Sequence, residues 1–208
     1  KGFTVTDYED NEDLFTEHGK PQYSEDKSEP FTDIIAHWGY ESIMHMYAEG
    51  IVNGYGDGTF KPDGTVTRAE FVKMLTNAVE LATSNISGVS FADVSETSWY
   101  AECVKLAAAN NLVQGYDGMF RPTENISRQD AAIVIYNAIT GAGYRLEGDK
   151  SFNDTANISD YAKPYVSALA SKGIVNGSDG RFMPKNTLTR AEAVKLIENM
   201  LDYIDHVS

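Results

Sequence analysis

The sequence predicts a mainly α protein built from three tandem helix-loop-helix repeats. Two observations predict it. A four-residue signature occurs three times at intervals of about sixty residues, as Thr67-Arg68-Ala69-Glu70, Ser127-Arg128-Gln129-Asp130 and Thr189-Arg190-Ala191-Glu192. After each signature, apolar residues fall at offsets of four, five, seven, eight, eleven and twelve from the hydroxyl residue, which is a wide stripe at helical period. One such helix pair cannot bury its stripe alone; three pairs around a shared axis can.

The elements follow in chain order. Residues 1–30 read as an acidic extension or linker, with Asp7, Glu9, Asp10, Glu12, Asp13, Glu17, Glu25, Asp26 and Glu29 against Lys1, Lys20 and Lys27. Phe3, Val5, Tyr8, Leu14 and Phe15 are its means of docking onto the rest. The repeats divide the remainder into 31–89, 90–150 and 151–208. Each opens on a trio, Phe31-Thr32-Asp33, Phe91-Ala92-Asp93 or Phe152-Asn153-Asp154, followed by Trp38, Trp99 or Tyr161. A first helix then runs to Gly50, Asn111 or Gly173, residue types that close helices in the left-handed conformation. Pro164 fits only near a first turn, so the third copy of this helix is expected to start late.

Past the cap comes an apolar pair (Ile51-Val52, Leu112-Val113, Ile174-Val175) and then a Gly-Asp turn. The turns are Gly54-Tyr55-Gly56-Asp57-Gly58, Gly115-Tyr116-Asp117-Gly118 and Gly177-Ser178-Asp179-Gly180. Phe60, Phe120 and Phe182 follow, each with a proline two residues on. The signature then opens the second helix.

Composition limits the function. The chain has 208 residues, 42% of them hydrophobic, enough for a real core. A net charge of −14 argues against broad electrostatic binding to nucleic acid or anionic membrane. The single cysteine, Cys103, excludes an intrachain disulfide and a thiolate zinc cluster, and its place in an apolar helical pattern makes it a small core residue. No stretch reads as a signal peptide or approaches the length of a membrane span, and the sequence opens without methionine, as a chain with a removed leader or a missing larger part would.

The signature carries the chemistry. Thr67, Ser127 and Thr189 are placed as N-caps, with Glu70, Asp130 and Glu192 three residues later, the pattern of a capping box. The aspartate is the shorter partner and is expected to reach less well. Arg68, Arg128 and Arg190 occupy the first helical position, where a cation opposes the helix dipole. Such a choice made three times calls for compensation. Two explanations stand: an ion pair, with Asp33, Asp93 and Asp154 as candidate partners, or an anion held jointly by the arginine and free N–H groups of the first turn. Trp38, Trp99 and Tyr161 read either as core plugs or as platforms for sugar rings. Tyr55 and Tyr116 sit in glycine-rich turns and are expected to be exposed.

Phe-x-Asp, then Trp, then Gly-Ile-Val-x-Gly-Tyr-x-Asp-Gly-Thr-Phe-x-Pro, then Thr-Arg-Ala-Glu: this combined motif resembles the S-layer homology (SLH) domain. The resemblance covers about 31–204 in three copies. It implies a pseudo-threefold spindle with a central helical bundle and three prongs. It also implies a noncatalytic module, extracellular on a bacterial cell wall or S-layer, whose inter-repeat grooves bind a peptidoglycan-linked secondary cell wall polymer. The epitope implied is an N-acetylmannosamine bearing a ketal-linked pyruvate. By position, Arg68, Arg128 and Arg190 would meet the carboxylate. Asp33, Asp93, Asp154, Trp38, Trp99 and Tyr161 would shape the grooves, and amides near Gly54, Gly115 and Gly177 would add donors. The third copy departs furthest, with Tyr161 for tryptophan and Ser178 for tyrosine, so the third-repeat groove is expected to be the weakest.

Other classes fit less well. There is no Gly-x-Ser-x-Gly, no His-Glu-x-x-His and no phosphate loop, and His18, His37, His45 and His206 have no helical ligand spacing. Gly64 stands where a calcium loop starting at Asn53 needs its glutamate, so no metal or cofactor is expected. The reading carried beside the glycan anchor is a protein-interaction or lattice-forming module of a surface protein. A monomeric module is expected for the anchor.

Overall fold

The computed structural model describes residues 4–5, 29–83 and 86–207. Among them are six α-helices: α1 (Tyr40–Ala48), α2 (Arg68–Ala78), α3 (Ala101–Ala109), α4 (Arg128–Gly141), α5 (Lys163–Ser171) and α6 (Arg190–Val207). Strand is limited to a two-residue antiparallel pair, β1 (Thr4–Val5) with β2 (Val79–Glu80). The acidic extension thus touches the repeats through backbone at Thr4 and Val5. Phe3, Tyr8, Leu14 and Phe15 lie outside the described residues. No described helix is long and apolar enough to cross a membrane.

The first helix of each repeat ends where a left-handed residue stops it. Gly50, Asn111 and Gly173 have φ of 71°, 59° and 75°. In each copy the next amide reaches back to close the last turn, as Ile51 N–H to Met46 O at 2.9 Å. The start of α5 differs from expectation: α1, α3 and α5 all begin at the same offset from Trp38, Trp99 and Tyr161. Pro164 is the second residue of α5, where its missing N–H has no helical partner to lose.

All eighteen stripe residues of the second helices are buried, from Phe71 to Leu201. They do not pack mainly within their own repeat. Instead α3 packs on α2, α5 on α4, and α1 closes the circuit on α6, while α6 also touches α2 and α4. Each first helix therefore covers the second helix of the preceding repeat, and the first and last repeats meet at α1 and α6.

A ring of three backbone bonds joins the three repeats. Val66 N–H donates to Leu188 O (3.1 Å), Leu188 N–H to Ile126 O (3.2 Å) and Ile126 N–H to Val66 O (3.0 Å). All three side chains are buried. This ring sets the three signatures side by side, each beginning its helix against a neighbouring repeat.

Candidate binding grooves

The arginines meet their partners across repeat boundaries. Arg68 Nε donates to Phe120 O at 2.9 Å, Arg128 Nε to Phe182 O at 2.8 Å and Arg190 Nε to Phe60 O at 2.9 Å. Arg128 also donates to Glu192 Oε1 (2.9 Å) and Asn176 O (3.0 Å), and Arg190 to Asn53 O (3.0 Å) with Glu70 at 3.9 Å. The ion-pair explanation therefore holds for Arg128 and Arg190, with different acids from those expected, while Arg68 has no ion pair among the described residues. The partners are the capping glutamates, Glu70 and Glu192.

Asp33, Asp93 and Asp154 do something else. Each carboxylate grips two successive amides: Asp33 takes Phe60 and Lys61, Asp93 takes Phe120 and Arg121, Asp154 takes Phe182 and Met183, all at 2.7–2.8 Å. The second residue of each pair is left-handed, with φ of 57° at Lys61, 61° at Arg121 and 56° at Met183. The aspartate clamps a backbone conformation that costs roughly 1–2 kcal/mol for a residue with a Cβ. Burial pushes the Asp93 and Asp154 carboxyls up, but the donated amides outweigh it and hold both below the usual carboxylate range. None of the three lines either cavity described below.

The first-turn amides are not free either. Arg68, Arg128 and Arg190 donate theirs to Glu124 O, Asn186 O and Gly64 O, and the next residue in each helix donates to a proline carbonyl of the same neighbour. The third amide goes to the cap hydroxyl. An anion at the helix mouth would find its backbone donors already used. The amides of Gly54, Gly115 and Gly177 do remain without a protein partner among the described residues. These glycines are there for close approach: a Cβ at Gly54 or Gly115 would strike the Phe31 or Phe91 ring, and one at Gly177 the Arg181 backbone.

Capping is complete in two repeats. Thr67 and Glu70 exchange bonds in both directions, as do Thr189 and Glu192. In the second repeat Ser127 Oγ accepts from Asp130 N–H, and Asp130 spends its carboxylate on Ser127 Oγ and the Tyr161 hydroxyl instead of reaching the Ser127 amide.

Two cavities open where these features converge. One, of about 530 Å3, is lined by Arg128, by Asn176 to Ser178, by Glu192 and Lys195 of α6, and by Trp38. The second, of about 260 Å3, repeats the arrangement with Arg190, Asn53 to Tyr55, Glu70 and Lys73 of α2, and Trp99. Each groove thus draws on all three repeats. The arginine comes from one, the turn and second helix from the next, the tryptophan from the third. Trp38 and Trp99 are each 63% exposed and Tyr161 58%, so these aromatics lie at the surface and are not core plugs. Tyr116 is exposed; Tyr55 is less so, lying 4.9 Å from the Arg190 guanidinium.

Tyr161 belongs to the third repeat by sequence but does not line the third-repeat groove, which receives Trp38. Its hydroxyl donates instead to Asp130 Oδ1 of α4, across the boundary between the second and third repeats. Lys73 and Lys195 escaped the sequence reading, although both fall six residues after the cap hydroxyl. So did Asn77, Asn137 and Asn199, which tie each second helix to the carbonyl of Ile51, Leu112 or Ile174 at 3.0–3.1 Å. Their common offset of ten was the available signal.

The family model of the S-layer homology domain matches residues 30–72, 90–132 and 151–194. The chain belongs to this family. Its three SLH repeats are similar to segments of much longer proteins. Exoglucanase XynX of Acetivibrio thermocellus is 35% identical over 188 residues, covering 88% of this chain and 17% of the exoglucanase. The cellulosome-anchoring protein of A. thermocellus is 34% identical over 158 residues, 73% of this chain and 35% of that protein. The surface-layer 125 kDa protein of Lysinibacillus sphaericus is 27% identical over 177 residues, 82% and 15%. The enzymes among these relatives match only through the SLH region, which is an anchoring module without catalytic function. An SLH triplet of this kind is an extracellular, cell-wall module.

Proposed function

We propose that these SLH repeats hold a surface protein on a bacterial cell wall by binding a secondary cell wall polymer in the inter-repeat grooves. The epitope is a terminal N-acetylmannosamine with a ketal-linked pyruvate. One observation carries the reading: Arg128 and Arg190 each line a cavity that a largely exposed tryptophan also lines. A sugar ring stacks on an aromatic face, and a carboxylate on that ring is drawn to a guanidinium in a partly desolvated cleft. Arg128 uses three of its five N–H donors on the protein, which leaves two for a ligand. The Gly54 and Gly177 amides add donors to the same walls.

The net charge of −14 shapes how such binding works. Acidic protein and acidic wall repel at long range, so capture is specific and lowering the salt strengthens it little. Two occupied grooves on one polymer-coated surface raise retention through effective concentration. The module works as a monomer.

Calorimetric titration with a synthetic pyruvylated N-acetylmannosamine glycoside and its non-pyruvylated counterpart tests the proposal. Heat from the first and not the second is expected. Equal binding of wall polymer stripped of pyruvate, together with a solution mass that grows with concentration, would transfer the function to protein–protein or lattice contacts.

A further inference from the structure

We infer that only two of the three grooves take the charged sugar, and that Lys73 and Lys195 select them while a Gln129–Tyr161 latch closes the third. The inference rests on the glycan-binding reading above. Grooves one and three share a plan: arginine, capping glutamate, and a lysine one turn further along the second helix. Lys73 is exposed, lines the smaller cavity and forms no ion pair among the described residues. Lys195 lines the larger cavity while one of its protons goes to Glu198 Oε2 at 2.6 Å. An ammonium has three donors, so two remain for a ligand.

The second-repeat groove lacks this plan. Ile133 stands at the lysine position and packs against the core. The signature cation here, Arg68, feels the charges of Asp130 and Glu124, with Arg121 also close by. The signature alanine is replaced by Gln129, which is 2% exposed and points across the repeat boundary. Gln129 Nε2 donates to the Tyr161 hydroxyl at 2.6 Å and to Ser159 Oγ at 3.2 Å, while its Oε1 accepts the Ser159 amide at 3.1 Å. The Tyr161 hydroxyl in turn donates to Asp130 Oδ1 at 3.0 Å. Glutamine, serine, tyrosine and aspartate thus form one hydrogen-bonded cluster, which the Lys185 ammonium joins at Ser159 Oγ. The aromatic that would stack on a sugar is pinned to the carboxylate that would accept its hydroxyl. The unusual Ser-Arg-Gln-Asp signature and the Trp-to-Tyr change, far apart in sequence, are two halves of this latch.

Calorimetry on the full chain with the pyruvylated glycoside reads the number of sites. We expect two per chain. Lys73→Gln should reduce this to one, and Lys73→Gln with Lys195→Gln should weaken binding at least tenfold. Lys195→Gln removes a charge that Glu198 pairs with, so its melting temperature is expected to fall, and a cooperative melting transition well above the assay temperature would confirm that both variants fold. Gln129→Ala, Tyr161→Trp and Ile133→Lys combined should raise the count to three. A wild-type count of one or three, indifference to Lys73→Gln, or a triple variant that stays at two would each overturn the inference while leaving glycan binding intact. No heat from either sugar would overturn the glycan reading, and this inference with it.

Discussion

Arg190 donates its Nε–H to the carbonyl of Phe60, 2.9 Å away and 130 positions earlier in the chain. That bond, with Arg190 Nη2 to Asn53 O, fastens the last repeat onto the first. The same side chain lies over the Phe60 ring, 4.6 Å from its centroid, and is nearly fully buried. The arginines are therefore structural ties as well as groove residues, and the two roles separate by burial.

Arg190→Ala should lower stability by about 3 kcal/mol, since it strands two carbonyl acceptors and leaves Glu70 near a gap. Arg68→Ala should cost clearly less, because Arg68 is more exposed and has one such bond. Chemical denaturation of the two variants decides it. Equal losses would mean that ring closure contributes nothing special.

The aspartate clamp should matter as much as any groove residue. Asp154→Ala leaves the Phe182 and Met183 amides without their acceptor and Met183 left-handed without support, a loss of about 2 kcal/mol or more. Because the folded Asp154 carboxyl sits below its ordinary range, its contribution is present above the unfolded value and disappears as pH falls through the lower folded value. Stability of Asp154→Asn, measured against pH, should therefore respond less to acid than the parent chain. An identical acid response would remove the clamp from the account.

The helices were legible because their information is local and repeated. The left-handed caps at Gly50, Asn111 and Gly173 and the buried stripe from Phe71 to Leu201 follow from residue type and period alone. The role of Asp33 was not legible. Its partners are the amides of Phe60 and Lys61, and no residue type announces which backbone donor a carboxylate will meet. The composite grooves were hidden for a related reason. A repeat read as a unit suggests that Tyr161 serves the groove of its own repeat, whereas each first helix packs on the preceding repeat and carries its aromatic there. Tertiary exchange between copies is invisible to a comparison of the copies.

The seam between α1 and α6 differs from its two counterparts in chemistry, and acid should find it. Glu198 of α6 accepts from Ser42 Oγ at 2.6 Å, lies 3.2 Å from His45 Nδ1 and pairs with Lys195. At the matching positions of the other second helices stand Thr76 and Tyr136, which carry no charge. Burial pushes the Glu198 carboxyl up, but the bonds from His45, Lys195 and Ser42, with the Lys195 charge, overcome it and bring it from an ordinary 4.5 to about 2. The neighbouring Asp202 is raised, by burial first and by Glu198 second. A depressed carboxyl stabilises the fold fully above its unfolded value and ceases to do so as pH drops through the folded one. The Glu198 contribution, about 3 kcal/mol for a shift of this size, should therefore vanish between roughly pH 4.5 and 2. Glu198→Gln should be less stable than the parent at pH 7 and lose the difference by pH 2. Because α1 and α6 join the chain's first and last repeats, the loss should also appear as faster amide exchange in α1 than in α3 at low pH. Equal exchange in the two helices would show that the seam does not open first.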